Sequence, residues 1–259
     1  MRFPRTFISR LTVGLALVFV LPAMAQTAAL PDVVGIRPGM SAQEAYQALS
    51  ERAKGSKIGI AQGTIDGIDK PVVVLMALQV VGSSPREEIV VYLTYPPQKQ
   101  IVWAVRRTLT FEPGKEPTKA DVMDGLRQKY GPELPVSAWA YWSFGEDARR
   151  SNMREVASYN CGGRATMYGV DNFVTPQPNG PLPYLQPLPN CESYVSVRAQ
   201  VENGSLVNNA LASTVTVIVE DTPAALRSRT AWKALASGQN AAARQQEIDK
   251  AKQQQKPTF

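Results

Sequence analysis

The sequence predicts an α+β protein: an antiparallel sheet with helices packed on one face, arranged as two units that read as similar and in tandem, with a C-terminal helix and tail added. Three observations predict it. Two helix-opening signatures, at Ser41 and Thr118, are each followed by β-rich segments. Those segments are joined by short turns such as Asp66-Gly67 and Asn203-Gly204. From Leu226 the composition then shifts to Ala, Gln and Lys. The resulting division is 1–25 export signal, 32–116 first unit, 117–225 second unit and 226–259 basic helix and disordered tail.

The export signal has three parts. Arg2, Arg5 and Arg10 make a positive start without an acid, Leu11 to Leu21 is an apolar run of eleven, and Pro22 ends it before Ala23-Met24-Ala25. Small residues there place the cut between Ala25 and Gln26. A spanning helix needs about 20 apolar residues, roughly twice this run. Cleavage by a Sec-type route puts the mature chain in a bacterial periplasm, with no transmembrane segment remaining.

The first unit opens with a capping box. Ser41 accepts from a first-turn amide and Glu44 reaches back, while Ala45, Tyr46, Leu49 and Ala53 repeat at helical spacing up to Gly55. Strand-like segments follow at Ile58 to Ile65, Val72 to Val81, Glu88 to Tyr95 and Ile101 to Phe111. In the last, Ile101, Trp103, Val105, Leu109 and Phe111 alternate onto one face, with Arg106 and Thr108 on the other. Arg107 interrupts the apolar face, which suits a sheet rim or the lining of a groove, the rim being the commoner case.

The second unit repeats the opening in weaker form. Thr118 is followed by Asp121, Val122 and Leu126, and Gly131-Pro132 ends the helix. Ser137 to Phe144 gathers Trp139, Tyr141, Trp142 and Phe144, either as a strand packed on both faces or as a stacking platform, with the core favoured because aromatics bury large areas. Ser193 to Glu202 and Thr214 to Glu220 read as further strands. In the tail, Trp232 is placed to dock an early helix, and Gln253 to Phe259 reads as disordered.

Cys161 and Cys191 are the only thiols. In an oxidising compartment two such residues read as a disulfide; the redox alternative usually takes Cys-x-x-Cys spacing. The loop between them holds six prolines, from Pro176 to Pro189. It is either an irregular segment that needs its staple or a presented binding loop with Tyr184 and Leu185 near the tip.

Composition narrows the chemistry. With no histidine, Ser-His-Asp and Cys-His catalysis, His-ligated haem and ordinary zinc sites fall away. No Gly-rich phosphate loop or EF-hand loop occurs, so no catalytic, cofactor-binding or metal residue is expected and the cofactor list is empty. The formal charge of +6 over the whole chain is unevenly placed. Residues 226–259 hold seven basic and two acidic residues, and residues 26–225 hold 18 basic and 20 acidic. A nucleic-acid partner is therefore not expected, and a contact of the basic tail with an anionic surface is a minor option. Among close acidic pairs, Glu87/Glu88 and Asp66/Asp69 are the candidates for carboxylate catalysis; Glu87 and Glu88 are neighbours on a strand and point to opposite faces, and Asp66 and Asp69 sit in a turn where Asp is common.

Gly39-Met40-Ser41 with Glu44 and Leu49, together with the Lys129-Tyr130-Gly131-Pro132 helix ending, resembles the BamE-like (SmpA/OmlA) domain. The β-lactamase inhibitor protein has a similar tandem layout. These resemblances imply helices layered on an antiparallel sheet and a role in binding partner proteins at the envelope. The chain departs from the BamE-like pattern in lacking the lipid-attachment Cys and a Gly-x-Pro end to its first helix, departures that bear on an outer-membrane assembly role rather than on the fold. The leading expectation is an exported, soluble, non-enzymatic protein that binds another envelope protein or assists envelope assembly. The alternative is a carboxylate-dependent hydrolase acting on a cell-envelope polymer.

Overall fold

Both helix openings fold as their residues dictate. The computed structural model describes residues 30–63, 71–80, 82, 84–134, 140–145, 195–203 and 210–253. Helix α1 spans Ala42–Ala53 behind Ser41, whose amide donates to Glu44 Oε2 at 2.7 Å while its hydroxyl accepts from the Glu44 amide at 3.3 Å. Helix α2 spans Lys119–Tyr130 behind Thr118. There the hydroxyl accepts from the Asp121 amide at 3.1 Å, and the Asp121 carboxylate takes the same hydroxyl at 2.6 Å. Asp is one methylene shorter than Glu, so it reaches the Thr118 side chain instead of the backbone. Gly131, at φ +86°, ends α2 with its amide on the Arg127 carbonyl.

Seven strands form one antiparallel sheet: β1 (Ile58–Gly63), β2 (Val72–Val80), β3 (Arg86–Leu93), β4 (Val102–Thr110), β5 (Ala140–Phe144), β6 (Val195–Asn203) and β7 (Ala212–Glu220). Their order is β1-β2-β3-β4-β7-β6-β5. The run after α1 therefore meets the run after α2 through its last strand, β4 against β7. An antiparallel pair is related by a two-fold axis normal to the sheet, which keeps each face facing the same way. Helices preceding the two runs thus land on one face. α1 packs through Ala45, Leu49 and Ala53 with Leu78, Ile89 and Val91, while Val122, Met123, Leu126 and Tyr130 of α2 pack against the same core.

Helix α3 (Thr222–Gln253) takes the opposite face. Asp221 caps it, accepting from the Ala224 amide at 2.8 Å, and burial raises the Asp221 carboxyl above its ordinary range. Ala224, Ala225 and Leu226 cover Val90, Tyr92, Trp103 and Ile218. Ser228 then latches the end of β3, accepting from the Tyr95 amide at 2.6 Å and donating to its carbonyl at 3.1 Å. A recess of about 10 Å3 beside Ser228 and Arg229 has room for one water at most. Trp232 packs on Tyr95 with ring centroids 6.2 Å apart. Beyond it the helix continues further than its composition suggested, because Ala, Gln, Arg and Lys are good helix formers. No helix among the described residues is long and apolar enough to cross a membrane.

One expectation fails in β4. Leu93 pairs with Val102 but Tyr92 pairs with Ala104, so Trp103 is an extra residue, a bulge. The bulge shifts the alternation by one place. Trp103 and Ala104 both enter the core under α3, while Val102 and Val105 belong to the core under α1 and α2. Ile101 and Trp103 therefore do not share a face with Val105, Leu109 and Phe111. Of the aromatic segment, Tyr141 and Trp142 are buried in the core and Phe144 is half-buried, while Trp139 lies outside the described residues.

Candidate binding surface between the two helices

β4 is the fourth of seven strands and ought to be the best covered. On the helix-bearing face it is not. Along it, Val102 and Val105 are buried, but Arg107, Leu109 and Phe111 are only half-buried. Arg107 is therefore not at a rim, as a break in an apolar strand usually implies; it lies mid-sheet, between Ile89 of β3 and Val217 of β7. α1 sits over β1, β2 and the adjoining Ile89 and Val91 of β3, and the half-buried stretch of β4 beyond them forms a strip on the face that α1 shares with α2.

The floor of that strip is charged. Glu87 of β3 pairs with Leu109 across the sheet, and its side chain is only 7% exposed. Arg52, in the last turn of α1, grips it with two bonds, Nε to Oε2 at 3.0 Å and Nη2 to Oε1 at 2.8 Å. Arg107 adds a third, Nε to Oε1 at 2.6 Å. Burial by itself would raise the Glu87 carboxyl, but the hydrogen bonds from Arg52 and Arg107 outweigh it and hold the group below its ordinary range. The arginines remain 37% and 30% exposed, so their outer ends reach solvent.

The α2 wall is thin. None of its residues is fully buried. Val122, Met123, Leu126 and Tyr130 touch the core and stay half-exposed. The helix is anchored at its last turn instead. Tyr130 donates its hydroxyl to the Asp32 carbonyl at 2.8 Å and packs on Trp142 at 5.6 Å, and Trp142 donates to the Gly131 carbonyl at 2.7 Å. Lys129 lies 3.2 Å from the Asp32 carboxylate. Burial and the nearby Asp32 charge raise the Tyr130 phenol above its ordinary value, with Arg107 opposing, so it stays protonated. Arg127 holds Glu133 down to about 2.

Chemically this arrangement favours recognition over proton transfer. A carboxylate fixed by two guanidiniums is a poor base and never a neutral acid at ordinary pH. Glu88 leaves β3 on the other face, opposite Thr108, so it cannot pair with Glu87. Asp66 and Asp69 lie outside the described residues, as do the cleavage point at Ala25 and Gln26, the cysteines Cys161 and Cys191, and the loop residues Tyr184 and Leu185. No group of three potential metal ligands occurs among the described residues. The partnership of Arg52 with Glu87 was invisible in sequence; the apolar break at Arg107 marked that residue alone as unusual. No family model, curated protein or solved structure matches the chain.

Proposed function

We propose that this chain is an exported envelope protein that works in the periplasm by binding another protein, as an accessory factor and not as a catalyst. One observation carries the reading: the middle strand of the sheet stays half-open on the face that carries α1 and α2, with half-exposed apolar side chains of α2 on that face and two guanidiniums on its floor. Such a strip combines apolar area with a few fixed polar groups, the mixture that protein interfaces use. The BamE-like resemblance of the helix openings supports the same role. The Pro-rich loop between Cys161 and Cys191, joined as a disulfide, is a second element through which Tyr184 and Leu185 would meet a partner.

The test is chemical crosslinking of the tagged mature chain in its own envelope fraction. The outcome supporting the role is one discrete partner captured in near-equal amount, with an intact mass that begins at Gln26. A chain that keeps residues 1–25, or that stays uncrosslinked at all concentrations, would overturn it.

A further inference from the structure

The strip between α1 and α2 holds two guanidiniums for one carboxylate. Arg52 spends Nε and Nη2 on Glu87, whereas Arg107 spends only Nε. A guanidinium has five N–H donors in a planar fork. The Nη groups of Arg107 have no partner among the described residues, and its side chain is 30% exposed. Glu87 thus orients Arg107 without satisfying it. A planar fork held by one edge presents the other to a carboxylate in fixed geometry, with little rotamer entropy left to lose.

The surroundings decide what kind of anion fits. α1 carries Glu44 and Glu51 beside Arg52; α2 carries Asp121 and Asp124 against Lys119, Arg127 and Lys129, with Glu133 just beyond. Among the described residues the strip has one surplus positive charge and its walls have none. A polyanion such as nucleic acid or a phospholipid surface would meet these carboxylates, but a single carboxylate would not. The apolar wall adds a second requirement. Val122, Leu126 and Tyr130 are four residues apart, so they line one side of α2, and each is half-exposed.

We propose that the strip docks an acidic segment of a partner protein, one carboxylate seated on the Nη edge of Arg107 and an adjacent apolar side chain packed against Val122 and Leu126. This rests on the protein-binding role proposed above and names its site and chemistry.

The test places a photo-crosslinking amino acid at Met123, on the α2 wall, and in a second protein at Thr216, on the other face of the sheet. Each full mature chain is irradiated in the native envelope fraction, and the captured segment is mapped by mass spectrometry. A synthetic peptide of that segment is then titrated against the unlabelled protein, beside a copy with Asn or Gln for each acid. The expected result is capture at Met123 of a segment with an acid next to an apolar residue. The amide copy should bind about tenfold more weakly, since a charge-assisted bond is lost. In Arg107→Met the two peptides should bind alike, and Arg107→Lys should recover part of the difference. Circular dichroism on both variants separates lost binding from lost folding. Capture at Thr216 alone would overturn this site while leaving the protein-binding role standing. Capture at neither position would overturn this site, and the crosslinking of the tagged mature chain described above decides the protein-binding role separately. Capture at Met123 of a segment without an acid, or a peptide preference that survives in Arg107→Met, would overturn the carboxylate assignment.

Discussion

The molecule holds two ion clusters of opposite design. On the α3 face, Arg198 and Glu220 are sealed, with side chains 9% and 2% exposed, one cation to one anion among the described residues. Arg198 Nε lies 3.1 Å from Glu220 Oε1 and Ser196 donates to the same oxygen at 3.0 Å. On the face that carries α1 and α2, Glu87 is also buried, its side chain 7% exposed, but shares two arginines that reach solvent. The difference follows from desolvation. A sealed charge without a counter-charge costs several kcal/mol, so the α3 cluster balances. An arginine whose stem is covered and whose head is wet avoids most of that cost. The open cluster therefore tolerates a surplus cation, and a tolerated surplus is what a partner can use.

Removing one anion from each cluster should separate them most. Glu220→Gln leaves Arg198 buried against a neutral amide, and urea unfolding should show a loss of about 3–5 kcal/mol. Glu87→Gln leaves two arginines that relax into water, and the same measurement should show only about 1–3 kcal/mol. Equal losses would erase the distinction between sealed and open.

Acid sharpens the comparison. The folded-state pKa of Glu87 is lowered, so its stabilising share is complete above the unfolded carboxylate value of about 4.3 and is lost as pH falls through the lower folded value. The stability gap between the native chain and Glu87→Gln should hold from neutral pH to about pH 5 and close below about pH 4. A gap that widens in acid would show that Glu87 is not held ionised by Arg52 and Arg107.

Smaller effects probe the α2 wall and the end of α3. A methyl group at Gly125, mid-α2, meets nothing within 4 Å. Gly125→Ala should therefore stabilise by about 0.5–1 kcal/mol through helix propensity. Destabilisation would mean that this wall is already covered. Truncation after Gly238 should change the thermal midpoint by less than a few degrees, since about 1 kcal/mol moves a domain of this size by only 2–4 °C. The described side chains beyond it, Ile248 included, are exposed.

Local chemistry was legible from the residues alone. Both helix openings, the Gly131 stop and the identity of most strands follow from contacts a few residues apart or from alternation. The α+β class was legible for the same reason. Arg107 was readable as an anomaly, but not its position: an apolar break looks alike on an edge strand and on a middle one. Only the order β3-β4-β7 places it mid-sheet.

What the sequence determined by itself is thus what neighbouring residues set: the two helix N-caps, the alternation within most strands, and the lack of histidine that removes whole classes of catalysis. Tertiary structure alone decided the rest. The Trp103 bulge depends on how β3 pairs with β4, the side taken by α3 depends on which face the other helices leave bare, and the grip of Arg52 on Glu87 spans 35 residues of chain. Periodicity reports the face of a segment relative to itself. It carries no information on which distant segment will cover that face, because coverage is settled by burial and charge balance over the whole sheet.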